Sequence, residues 1–205
     1  MRNVSILCFF FVLNLQAQKP MNSAEADALK SLVKQQAKTT KTITSAFTQY
    51  KHMDFLSNDI VTNGNLHFKA PNLVKWSYTE PFVYSVIFKG DKLYINDEGK
   101  KSDIDMSSSK LFKQLNSLII KSIKGDMFDA EEFHIEYFKS GNNSLVYFKP
   151  KDKKSASFIE VFQLTFNEQG DVEIVKMVEP SGDYTKIVFN NKVLNNPVSD
   201  ALFNN

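Results

Sequence analysis

Along most of this chain, apolar side chains recur at every second position, in short runs punctuated by Gly, Asn, Asp or Pro. The clearest case is Asn63 to Pro81: Leu66 and Phe68 alternate, Ala70-Pro71-Asn72 breaks the run, and Val74, Trp76 and Tyr78 alternate again. A period of two puts alternate side chains on opposite faces of a strand, and the turn residues between two such runs join them as a hairpin. The pattern predicts strands over residues 45–53, 60–69, 72–79, 83–89, 92–97, 100–106, 133–139, 144–149, 158–166, 172–179 and 184–193. Nearly every connection is too short for a crossover, so the sheet is expected to be antiparallel with meander pairing.

Such a sheet must hide one face. Adjacent strands are rotated by about 20–25°, so a sheet this wide curls strongly. Two stretches with helical spacing can cover it. Asn22 with Glu25 reads as a capping box ahead of Leu29, Leu32, Val33 and Ala37, with Ile43 at the end of the same face. Ser107-Ser108-Ser109 then offers caps for a second helix over 108–124, stopped by Gly125, with Leu111, Phe112, Leu115, Leu118, Ile119 and Ile123 as its stripe and Ile120 widening it. The expected fold is therefore mainly β: an incomplete antiparallel barrel, or strongly curved half-barrel, of about eleven strands with helices over the concave side.

The N-terminus reads as targeting. Arg2 precedes an apolar run, Ile6 to Leu15, broken only by Asn14. The run is too short to span about 30 Å of hydrocarbon. Residues 1–17 are expected to be a cleavable signal peptide, leaving one domain over 18–205. Removal would take the only Cys, Cys8, and the only Arg, leaving no disulfide. The chain carries 25 basic against 23 acidic side chains, a balance that gives no reason to expect nucleic acid as a partner.

Catalytic patterns are missing. His52, His67 and His134 lie on separate strands without metal-ligand spacing and are expected to face solvent. There is no nucleophile elbow, zinc-protease helix or phosphate loop. Asp103 and Asp105 share a strand face, but alternating acids on an edge strand ordinarily keep it soluble. Lys151-Asp152-Lys153-Lys154 reads as a solvated loop. What stands out is aromatic load, 18 Phe, 7 Tyr and 1 Trp. Several aromatics keep one parity: Val74/Trp76/Tyr78, Tyr84/Val86/Phe88, Phe133/Ile135/Tyr137 and Phe158/Phe162/Leu164/Phe166. Each could be ordinary core; together, on a half-barrel with two helices to fill it, they suit the wall of an apolar cavity.

The order of motifs resembles the LolA family of periplasmic outer-membrane lipoprotein carriers, in its divergent Bacteroidetes-type form. Phe47-Thr48-Gln49 matches the first-strand F-x-Q. Gly64 to Phe68, Pro71 to Trp76, Tyr78 and Pro81 match the G-x-L-x-F…P…W-x-Y…P that follows. Lys89 to Tyr94 matches the next hairpin, and Glu179 to Thr185 and Asp200-Ala201-Leu202-Phe203 resemble the closing strand and tail. The resemblance implies a carrier without cofactor or covalent chemistry. Acylated lipoproteins would be received from an inner-membrane ABC-type release complex and delivered by a monomer to an outer-membrane acceptor. It implies acyl-chain contacts at Phe47, Leu66, Phe68, Val74, Trp76, Tyr78, Val86 and Phe88. Leu111, Phe112, Leu115, Leu118 and Ile119 would belong to a lid that presents Phe112, Leu115 and Ile119 inward.

Energy limits this mechanism. At about 0.8 kcal/mol per CH₂, three chains of roughly fifteen carbons would release about 36 kcal/mol, beyond the practical ceiling near 18–21 kcal/mol. A carrier that must unload is therefore expected to bury its cargo only in part. One departure bears on the lid. The family commonly carries Arg before the proline of the β-turn, helping to hold the lid by hydrogen bonds; here that position is Ala70, and Lys69 and Lys75 lack the planar five-donor fork. The latch is expected to be lost and closure to rest on apolar packing. Two other readings stay open: a LolA-like carrier or sensor of free lipid, fatty acid or apolar pigment, and a secreted hydrolase using Asp103 and Asp105.

Overall fold

The computed structural model describes residues 18–90, 92–105 and 120–204. The capping box forms as expected. Asn22 Oδ1 accepts from Glu25 N and Glu25 Oε2 accepts from Asn22 N, both at 2.9 Å, opening helix α1 (Ser23–Thr39). Ala26, Leu29 and Val33 are its buried residues. Leu32 is 37% exposed rather than buried, and Ile43 is not helical at all: the following strand starts at Thr42 and takes it.

Twelve strands form one antiparallel sheet in the order β1-β8-β9-β10-β11-β12-β2-β3-β4-β5-β6-β7. They are β1 (Lys19–Pro20), β2 (Thr42–His52), β3 (Ile60–Lys69), β4 (Leu73–Glu80), β5 (Tyr84–Lys89), β6 (Lys92–Asp97) and β7 (Lys100–Asp105), then β8 (Phe133–Ser140), β9 (Asn143–Pro150), β10 (Val161–Phe166), β11 (Val172–Val178) and β12 (Tyr184–Leu194). The extra strand is β1, two residues paired with Lys139 and Phe138. Each half is a meander, but the halves meet through β12, which pairs with β2 from Tyr184↔His52 to Leu194↔Ile43. The C-terminal strand thus lies mid-sheet. The sheet stays open. Its β7 edge is charged, with Lys100, Lys101, Asp103 and Asp105 exposed, which discourages edge-to-edge pairing.

Two local expectations fail. Strand β10 begins at Val161, and Phe158 is 56% exposed beyond a short helical turn, Lys153–Ala156. That turn replaces the expected loop because Asp152 caps it, accepting from Lys154 N and Ser155 N. Residues 120–124 are helical and end in a Schellman motif. Gly125 lies at φ +71°, its N–H bonds to Ser122 O, and Asp126 N–H reaches back to Lys121 O. The residues expected on the lid, Leu111, Phe112, Leu115, Leu118 and Ile119, lie outside the described residues.

The apolar residues form two clusters. One joins α1 (Leu29, Val33) to β8–β10 through Phe133, Val146, Phe148, Phe162, Leu164 and Phe166; the other joins β2–β6 through Phe47, Leu66, Phe68, Val74, Trp76, Phe88 and Leu93. The chain from 120 to 128 spans the concave side between them: Ile120 and Ile123 pack on the second cluster, Met127 and Phe128 on the first. Lys121 pins this segment to the entry of β8 through Glu132 at 2.7 Å and Asp129 at 3.6 Å.

His67 does not simply face solvent. Its Nδ1 is buried without a partner among the described residues, and burial, then the Lys75 charge, lowers its pKa below 6.5. The unfolded chain therefore takes up this proton first as pH falls below 6.5, and folded stability drops over that window. Urea unfolding at pH 7.5 and 5.5 should show a larger loss for the wild type than for His67→Gln; equal losses would exclude His67 as the cause.

Candidate binding cavity

Between the two clusters lies a cavity of about 470 Å³. Alternation builds its walls. On β3, β4 and β5 the even positions face inward, bringing Leu66, Trp76, Tyr78, Val86 and Phe88 to the surface of the cavity. From the other half come Phe148, Phe162 and Leu164, then Val175 and Met177 of β11 and Ile187 and Phe189 of β12. Val33 and Ala37 of α1, with Ile123 and Met127, close it from the helical side.

Of the eight residues expected to meet acyl chains, Leu66, Trp76, Tyr78, Val86 and Phe88 line the cavity. Phe47, Phe68 and Val74 do not; at 2%, 2% and 0% exposure they are core within the wall. Phe47 backs the lining directly, its ring 4.7 Å from Trp76 and edge-on to Tyr78 at 5.4 Å. Ala70 is exposed in the β3–β4 turn, where its N–H bonds to Lys41 O. Lys69 is committed elsewhere, to Asp200 at 2.6 Å and to Val198 O, holding the C-terminal 3-10 turn (Asp200–Phe203) whose Phe203 is buried. The candidate hydrolytic acids, Asp103 and Asp105, are exposed on β7 and do not line the cavity; Asp103 pairs with Lys92 at 2.9 Å.

Polar groups in the wall are few. The Tyr78 hydroxyl donates to Gln49 Oε1 at 3.1 Å, and burial raises the Tyr78 pKa, so it stays a neutral phenol. Trp76 Nε1 is buried with no partner among the described residues. Lys192 and Asp171 stand at one end. Burial lowers the Lys192 pKa, opposed by Asp171 and Glu173.

Lys192 escapes a reading by alternation for a definite reason. Asn190 pairs with Ala46 but Val193 with Thr44, so β12 carries one extra residue. This bulge, with Asn191 at φ +52°, flips parity and turns Lys192 to the side that Phe189 already faces. A second bulge on β11 separates Ile174, opposite Thr165, from Val172, opposite Phe166. The only local signal is Asn190-Asn191, a residue type that tolerates the left-handed region.

Comparison with known sequences gives this open, cavity-bearing sheet a family. The family model for the outer membrane lipoprotein carrier protein LolA matches residues 38–205. The chain belongs to the LolA family. An outer-membrane lipoprotein carrier protein of Francisella tularensis subsp. novicida is 26% identical over 198 residues, covering 97% of this chain and 90% of that relative. Among solved structures, a DUF1329 family protein of Desulfovibrio piger superposes with a TM-score of 0.51 at 12% identity, over 87% of this chain and 96% of that one. MucB, of Pseudomonas aeruginosa, superposes with a TM-score of 0.54 at 10% identity, over 90% of this chain and 64% of that one. At these identities the structural likeness concerns the fold alone. LolA membership places the chain with non-enzymatic carriers rather than hydrolases.

Proposed function

We propose that the protein is a periplasmic carrier, exported by a signal peptide over residues 1–17, that takes lipoprotein acyl chains into this cavity and moves them from the inner to the outer membrane. The observation that carries the reading is the apolar cavity walled by both halves of the sheet in a LolA-family chain. Cargo would come from an inner-membrane ABC-type release complex and pass to an outer-membrane acceptor, the carrier acting as a monomer. Leu66, Trp76, Tyr78, Val86 and Phe88 would touch the chains, with Phe47, Phe68 and Val74 stiffening the wall behind them. Leu111, Phe112, Leu115, Leu118 and Ile119 would supply the lid.

The cavity's size supports partial burial. If a methylene takes up the ~30 Å³ share of a water molecule, 470 Å³ holds about fifteen carbons, one chain. At about 0.8 kcal/mol per CH₂ that is roughly 12 kcal/mol, a nanomolar affinity that a partner can reverse. Further chains would need the cavity to widen, consistent with a lid held by apolar contacts and without an arginine latch.

Trp76, the only tryptophan and a lining residue, is a built-in reporter. A lipopeptide with brominated acyl chains should quench its fluorescence saturably, and protein recovered from its native periplasm should carry acylated lipoprotein by mass spectrometry. No quenching, with bare protein recovered, would sink the carrier reading. Recovery of free lipid, fatty acid or pigment alone would favour the second reading, to which the loss of the latch at Ala70 gives some weight.

A further inference from the structure

The acyl reading leaves one cavity residue unexplained. Lys192 lines the apolar cavity and also an adjoining pocket of about 300 Å³ bounded by Asn167, Asp171, Glu173 and Asn191. Its side chain is 21% exposed, as is that of Asp171, 4.0 Å away. Its ammonium donates to Val172 O and lies 6.0 Å from the centre of the Phe189 ring. An ammonium has three donors, and the backbone carbonyl takes one. Burying such a charge beside an apolar cavity costs free energy that a packing residue would not incur. The bulge on β12 is what puts it there, since regular pairing with β2 would turn Lys192 to the outer face.

The balance of charge around it selects the ligand. One ammonium stands against two carboxylates, Asp171 and Glu173, the latter also accepting from Asn143. A ligand with a free carboxylate or phosphate would bring a further negative charge against Asp171 and Glu173 in a partly dehydrated site. A neutral group meets no such penalty. Its carbonyl oxygen can accept from Lys192, and an N–H can donate to Asp171.

We propose that Lys192 and Asp171 form a head-group subsite for the uncharged amide or ester junction of an acylated ligand, and that this subsite discriminates against free fatty acids and phosphorylated lipids. The inference rests on the acyl-binding reading of the cavity and sharpens it, because it separates acylated conjugates from free acids at one chain length.

The test compares dodecanoate with N-dodecanoyl-glycinamide, identical in chain, by titrating Trp76 fluorescence at pH 7.5. The wild type should bind the amide about tenfold more tightly, the scale of a hydrogen bond to a charged group. Lys192→Met should lose about that factor for the amide, and Asp171→Asn should bring dodecanoate up toward it. Equal wild-type affinities, tighter binding of dodecanoate, or an unchanged Lys192→Met would overturn the subsite while leaving acyl binding intact. If neither ligand perturbs Trp76, the acyl reading fails as well. The wild-type comparison stands even if a variant does not fold.

Discussion

Gly64→Val should remove a large share of the folding stability. A Cβ at Gly64 would lie 2.1 Å from Ser77 O and 2.5 Å from the Phe47 ring. The first is backbone of the paired strand and cannot swing aside. The second is a 2%-exposed ring held between Gly64, its partner across β2–β3, and the aromatic rings of Trp76 and Tyr78. A bulge at Asn63/Gly64 fixes this geometry, pairing Asn63 with Glu80 but Gly64 with Tyr78. Overpacking ordinarily costs about 1–3 kcal/mol; overlap with fixed backbone should exceed about 4 kcal/mol, against a total stability of about 5–15 kcal/mol. Far-UV circular dichroism with urea titration measures it, and a midpoint within experimental error of wild type would refute the account. Gly64→Ala should fall in the same direction, since the clash begins at Cβ.

Ile187→Glu should abolish acyl retention while the sheet still forms. Ile187 lines the cavity from β12, between Val175 of β11 and Gln49 of β2, and Lys192 is the only cationic side chain in the described lining. A carboxylate there can stay hydrated while the cavity is empty. Against hydrocarbon it would be desolvated without a partner, at a cost of several kcal/mol. Affinity for an acyl ligand should fall by at least about a hundredfold, read by Trp76 quenching, with the circular dichroism spectrum retained. Lys186→Gln, one residue away on the opposite face, is the control and should bind as wild type. Retained binding in Ile187→Glu, or equal loss in the control, would show that the concave side between β11 and β2 is not where chains sit.

These two variants separate the wall from the surface it presents. Phe68 and Val74 carry the same parity as the lining residues Leu66, Trp76 and Tyr78, as Phe47 does that of Ile43 and Gln49 on β2, and period-two spacing cannot tell the sets apart. Curvature does, because a strongly bent sheet brings some inward side chains together as core and spreads others around a space. The aromatic wall and the cavity behind it were therefore legible, but not which of the inward side chains line the space. Its opposite wall, Val175, Met177, Ile187 and Phe189, was not legible even as a partner, since β12 reaches β2 across more than a hundred intervening residues.

The amino-acid pattern was enough for the local plan: the capping box at Asn22, the stop at Gly125, the run of hairpins, and the motif order that identifies the family. Each of these depends on interactions between near neighbours, which spacing and turn chemistry encode directly. Three features arose only when the chain closed on itself. β12 inserted between β11 and β2, which made one sheet of two meanders. The cavity appeared between two cores that neither half could fill. Lys192 turned inward because a one-residue bulge reversed the parity that the rest of the strand obeys. Long-range pairing and register are set by the total burial they achieve, a quantity that belongs to the folded molecule and to no segment of its sequence.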